Sequence, residues 1–207
     1  MHQAILSVVA VGIFSASALA GGPGEGLKLD LAATSVATAM MQAEQDAAQA
    51  RAVCSADSFT WNAYGSAIFG DSEKGEQYAA HTGFSWYFLE DLGLNLEAFA
   101  GYVDPERDDS GGVGGLDLTF RWHFHKHDAL TIYVDGGAGF QQASTNFPSD
   151  NHFNFRTMFG LGASYRISDG ALFIGGVRYV HISNAGLTDG NDGLDGAMVY
   201  LGLSFPF

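Results

Sequence analysis

From Ser58 to the last residue, apolar and polar positions alternate with a period of two, the pattern of strands with two unlike faces. Eight runs follow it: 58–70, 78–89, 93–102, 113–123, 129–141, 153–167, 171–183 and 195–207. Each holds 10 to 15 residues, longer than an ordinary globular strand and long enough to cross a bilayer at a tilt. The faces differ sharply. In the second run Tyr78, Ala80, Thr82, Phe84, Trp86 and Phe88 share one side, and in the fourth Leu116, Leu118, Phe120 and Trp122 oppose Asp117, Thr119 and Arg121. The sixth sets Phe153, Phe155, Phe159, Leu161, Tyr165 and Ile167 against Asn154, Arg156, Ser164 and Arg166. Likewise Leu130, Ile132, Val134 and Phe140 oppose Tyr133, Asp135 and Gln141, while Glu97 opposes Leu94, Leu96 and Ala98. Alternation alone leaves open which face is inside. A soluble barrel buries its rings, whereas a small membrane barrel turns them outward and fills its bore with polar pairs.

The connections decide between the two, because they alternate in length: 7, 3, 10, 5, 11, 3 and 11 residues in chain order. Short turns at one end and long loops at the other, on an even number of strands, are the plan of outer-membrane barrels. Closing eight strands edge to edge also leaves no unpaired backbone in hydrocarbon. The prediction is therefore all-β, an eight-stranded antiparallel transmembrane β-barrel over 58–207 in the bacterial outer membrane. The terminal Phe205-Pro206-Phe207 resembles the assembly signature of such proteins. Gly136, Gly137, Gly139, Gly160, Gly162, Gly175 and Gly176 fall inside strands, where a narrow curved barrel has little room. None stands at a strand-to-helix turn, so they do not form a phosphate cradle.

The N-terminal part reads differently. Ala4 to Phe14 is an apolar run of 11 broken only by Ser7, and Ser15 to Ala20 ends in a small-x-small pattern, so residues 1–20 are expected to be a signal peptide, although its start carries His2 and no Lys or Arg. Residues 21–57 are a Gly-rich joint followed by an Ala-rich extension, helical or disordered. Composition narrows the partners. With 9 Lys and Arg against 23 Asp and Glu, the net charge of −14 lacks the basic surplus that phosphate backbones attract, which argues against nucleic acid. A single cysteine, Cys54, permits neither a disulfide framework nor a CxxC redox pair.

Three polar residues stand on the apolar face. The odd positions of the last run, Ala197 to Phe207, belong to the lipid side, and Asp195 shares their parity. If Arg178 points into the bore, then Val177, Tyr179, His181 and Ser183 point outward. Polar groups facing a membrane are costly and usually functional, although some merely sit at the water boundary. Residues i and i+2 on a strand lie about 6.6 Å apart on one face, within reach for an imidazole and a hydroxyl. A carboxylate from the neighbouring strand would complete the base, nucleophile and orienter logic of a serine hydrolase.

The segment Tyr179-Val180-His181-Ile182-Ser183-Asn184-Ala185-Gly186, followed by Asn191-Asp192-Gly193-Leu194-Asp195, resembles the lipid A deacylase PagL family of acyloxyacyl hydrolases. The layout of 58–207 is similar throughout, and the close motif match lies within 177–207. The resemblance implies an eight-stranded outer-membrane barrel that removes an ester-linked acyl chain from lipid A without a cofactor. It implies His181 as general base, Ser183 as nucleophile, Asn184 as a contributor to the oxyanion hole, and Asp195 where family members carry glutamate. The partners implied are lipopolysaccharide or a related acyl-ester lipid and the membrane. The sequence leaves the oligomeric state open, a homodimer included.

Competing sites are weaker. His123-Phe124-His125-Lys126-His127 has a metal-like spacing but falls on a predicted short turn, where a solvated cluster is the commoner case. Asp189, Asn191, Asp192 and Asp195 suggest calcium but lack the glycine and glutamate offsets of an EF-hand loop. The stretch 103–109 reads as a solvated acidic tip. Two rival functions remain, a non-enzymatic outer-membrane barrel in adhesion or envelope structure and a soluble ligand-binding barrel.

Overall fold

The computed structural model describes residues 34–41, 54–70, 74–106, 108–148, 150–168, 170–188 and 193–207. Two compact units divide the chain, Met1–Gln45 and Asp46–Phe207. The first contains an α-helix over 34–41 (α1), inside the Ala-rich stretch, where the Thr38 hydroxyl donates to the Thr34 carbonyl at 2.8 Å. The expected signal peptide and the Gly-rich joint at 21–26 lie outside the described residues.

The second unit is a closed antiparallel barrel in chain order: β1 Ser58–Gly70, β2 Glu76–Leu89, β3 Leu92–Asp104, β4 Gly111–His127, β5 Leu130–Ala143, β6 Phe153–Ser168, β7 Ala171–Ser183 and β8 Leu194–Pro206. β1 closes the ring by pairing with β8 from Thr60↔Pro206 to Gly70↔Gly196. The expected strands are all present, and several are longer than the alternation alone suggests. The largest correction is β4, which runs to His127, so the expected turn at 124–128 is mostly strand. A bulge between His123 and His125 interrupts the alternation there, which hides the strand from a period-two reading. Matching bulges at Tyr87/Leu89 and Arg166/Ser168 precede the other two short turns. Asp91 in the β2–β3 turn and Asp128 in the β4–β5 turn take φ of 66° and 51°, a left-handed conformation that tight hairpin turns use and Asp tolerates.

The large rings are outside. Phe84, Trp86, Phe120, Trp122, Phe159 and Tyr165 are all exposed, while the opposite parity is buried. The bore is filled by a polar network with an aromatic lining. Arg178 donates to both oxygens of Asp135, at 3.0 and 2.8 Å, and to Glu97 Oε2 at 3.2 Å. Arg121 donates to Asp135 at 2.9 Å and lies 4.2 Å from the centre of the Tyr133 ring. Arg156 stands 3.5 Å from Asp117 and 4.2 Å from the centre of the Phe99 ring. Three guanidinium groups thus meet three carboxylates, so the fully buried charges are compensated. Glycines make room for the rings: a Cβ at Gly162 would sit 2.4 Å from the Tyr133 ring and one at Gly176 2.7 Å from the Tyr200 hydroxyl, where those two tyrosines share a 2.9 Å hydrogen bond.

Candidate active site

The site begins with a parity. Arg178 is held inward by Asp135, Glu97 and Tyr64, and Val180 and Ile182 are fully buried on the same side of β7. Val177, Tyr179, His181 and Ser183 must then face outward, because successive side chains on a strand alternate. On β8, Leu194 and Met198 are fully buried, which turns Asp195 outward. The β7–β8 ladder sets His181 directly opposite Asp195 and Ile182 opposite Leu194.

That register brings the three polar groups into one chain. His181 Nδ1 lies 2.7 Å from Asp195 Oδ1, and His181 Nε2 lies 3.1 Å from Ser183 Oγ. An ionised carboxylate only accepts, so it selects the tautomer with the proton on Nδ1 and leaves Nε2 free to accept from the serine hydroxyl. The His181 side chain is 41% exposed and that of Asp195 62%, so the group opens to the barrel exterior and not into the bore. A direct cross-strand pairing places the short aspartate within hydrogen-bond distance. Across β6, Thr157 stands opposite His181 and Phe155 opposite Ser183, and the Phe155 ring packs edge-on against Phe153 at 5.3 Å.

Two further residues complete the group. The Tyr179 hydroxyl donates to Asp195 Oδ1, the oxygen that also receives His181. Gly193 lies against the group: a Cβ there would be 3.0 Å from His181 Cε1 and 3.1 Å from Ser183 Cβ. Neither is visible in hydrophobic patterning, since one is an ordinary outward tyrosine and the other a loop glycine.

Asn184 is buried at the start of the β7–β8 loop. Its amide nitrogen donates to Thr188 Oγ1 at 2.7 Å, and its oxygen accepts the Gly186 N–H at 2.8 Å. Ala185 and Gly186 take φ of 53° and 77°. The Asn184 side chain therefore builds the turn that immediately follows Ser183.

The other candidates separate. His123 faces the bore and contacts the Tyr87 hydroxyl at 3.0 Å, whereas His125 and His127 are exposed beyond the bulge, so the three rings belong to different surroundings on a strand and not to one solvated turn. Asp189, Asn191 and Asp192 lie outside the described residues. In the bore, His81, Glu97 and Asp117 bring ligand-type atoms within 4.8 Å of one another. Glu97 is already matched by Arg178 and Asp117 stands beside Arg156, so a cation there would add positive charge to a balanced interior.

A closed barrel with a charge-balanced bore and a ring-studded exterior is a small bacterial outer-membrane barrel. Solved barrels agree. Neisserial surface protein A aligns over 72% of this chain and 97% of its own with a TM-score of 0.58 at 14% identity. OprG from Pseudomonas aeruginosa aligns over 74% and 97% with a TM-score of 0.52 at 16% identity. The outer membrane enzyme PagL aligns over 72% and 99% with a TM-score of 0.52 at 21% identity. No curated protein matches the chain. The family match is more specific: residues 75–204 match the lipid A 3-O-deacylase (PagL) family, and the chain belongs to it. The expected fold, family and outer-membrane location all hold, and membership supports ester hydrolysis in general.

Proposed function

We propose that the protein is an outer-membrane serine esterase that removes an ester-linked acyl chain from lipid A. The observation that carries the reading is the Ser183–His181–Asp195 chain, at 3.1 and 2.7 Å, on the outward face of the barrel. Lipid reaches the group by lateral diffusion in the membrane. His181 Nε2 takes the Ser183 proton as Oγ attacks the ester carbonyl, and Asp195 stabilises the imidazolium that forms. The negative charge on the carbonyl oxygen is met by N–H donors of the turn that Asn184 organises after Ser183. Collapse returns the proton to the departing sugar oxygen and leaves the acyl chain on Ser183. Water entering from the loop end, activated by His181, then releases the fatty acid. The reaction uses no cofactor.

The test is purified lipid A incubated with the detergent-solubilised barrel and analysed by mass spectrometry. Wild type removes one hydroxyacyl chain and Ser183→Ala leaves the lipid intact. Heat-modifiable gel mobility checks that both are folded. Intact lipid A after incubation with folded wild type would return the protein to the non-enzymatic barrels.

A further inference from the structure

We propose that Tyr179 is a positioning residue of this site, holding the Asp195 carboxylate against His181; the inference rests on the esterase reading above. Outward-facing tyrosines of membrane barrels ordinarily direct their hydroxyls to interfacial water. That of Tyr179 is instead donated to Asp195, although the residue is 54% exposed. The arrangement has geometric causes. Tyr179 precedes His181 by two residues on the same face of β7, and its cross-strand neighbour on β8 is Ala197, whose small side chain leaves the diagonal toward Asp195 open.

Direction matters as much as contact. His181 and Ser183 lie toward the loop end of β7, where water is available, while Tyr179 lies on the side nearer the membrane interior. An exposed carboxylate at such a boundary is drawn toward water, which would pull it off His181 Nδ1. A phenol hydroxyl bonded from the hydrocarbon side opposes that motion and satisfies the carboxylate where no water can. Both donors converge on Oδ1, so holding this one oxygen holds the imidazole that orients toward Ser183. The hydrogen bond of the Tyr179 hydroxyl goes to Asp195, the neighbour of the base, and not to His181 or Ser183. Tyr179 acts through Asp195.

Tyr179→Phe removes the donor and keeps the ring. Loss of one hydrogen bond to a charged group should lower kcat on lipid A about tenfold, with KM changed less than about twofold. The rate of Ser183 labelling by a fluorophosphonate, which reads nucleophile activation without lipid binding, should fall by the same factor. Tyr179→Leu should match Tyr179→Phe. In an Asp195→Ala background, Tyr179→Phe should alter labelling by less than about twofold, because its acceptor is already gone. Wild-type kcat and labelling in Tyr179→Phe, a change confined to KM, a loss seen only with Leu, or an equal loss in the Asp195→Ala background would each overturn the inference. A folded wild type that neither labels at Ser183 nor deacylates lipid A defeats the esterase reading and this one with it. An active wild type beside an unaffected Tyr179→Phe defeats this one alone.

Discussion

Arg178 joins the interior of the barrel to the strand that carries the site, and its removal has a calculable cost. Arg178→Met keeps much of the stem and deletes a guanidinium that donates to Asp135 at 3.0 and 2.8 Å, to Glu97 at 3.2 Å and to the Tyr64 hydroxyl at 3.1 Å. Asp135 retains Arg121 at 2.9 Å, but Glu97 is left with the Tyr64 hydroxyl at 2.7 Å and Arg121 no nearer than 4.0 Å. Two guanidinium groups then face three carboxylates among the fully buried residues. Breaking a buried pair from one side costs about 3–5 kcal/mol. Adding Glu97→Gln removes the stranded charge and should recover at least about 1 kcal/mol of that loss. Urea unfolding of the barrel in phospholipid vesicles, followed by tryptophan fluorescence and heat-modifiable mobility, measures both variants. Arg178→Met within about 1 kcal/mol of wild type, or no recovery in the double variant, would refute the claim that the bore is held by balanced charge.

Gly193→Ala tests how tightly the site is built. A Cβ 3.0 Å from His181 Cε1 forces a displacement of about 0.4 Å, and with 1 Å of misplacement costing about a hundredfold, kcat should fall roughly sixfold in a fully folded barrel; an unchanged kcat would show that the site has slack. Cys54, just before β1, is buried and its thiol is pushed up to about 11, chiefly by that burial. Iodoacetamide at pH 8 should therefore label the folded barrel at least about a hundredfold more slowly than the urea-unfolded chain, and rapid labelling of the folded form would contradict it. The sign for stability follows: the unfolded thiol ionises first, so this group lowers folded-state stability as pH rises from about 9 toward about 11.

Most of the barrel is legible in the sequence because two independent regularities converge on it. Alternation fixes which residues share a face, and the alternating connection lengths choose which face is outside. Alternation fails where a bulge shifts the phase, as between His123 and His125, and there a strand reads as a turn. The catalytic candidates are legible for the same reason: Arg178 sets the parity of β7, and β8 carries its apolar face to the end. What alternation cannot supply is diagonal contact. The Tyr179 hydroxyl reaching Asp195 and the absence of a Cβ at Gly193 depend on strand twist and loop path, which leave no periodic trace. Asn184 illustrates a third case. Its place after Ser183 is readable, but the Thr188 and Gly186 contacts that turn its side chain into the loop are not.

The interior also explains where chemistry on a lipid could occur in so small a barrel. Tyr133, Tyr200, Arg156 and Arg178 are fully buried and fill the bore, so an acyl chain has no route through it. Only the outer wall meets hydrocarbon, and a polar group on that wall costs energy unless its hydrogen bonds are satisfied. His181, Ser183, Asp195 and Tyr179 satisfy one another across two strands, in a line that ends where β7 enters the loop. A line of this kind needs one end in hydrocarbon to hold the acyl chain and one end near water to release it. Shifting the same four residues two positions down the strands would keep the histidine opposite the aspartate but bury the water-accessible end, so the placement at the loop end is itself a requirement of the proposed two-step hydrolysis.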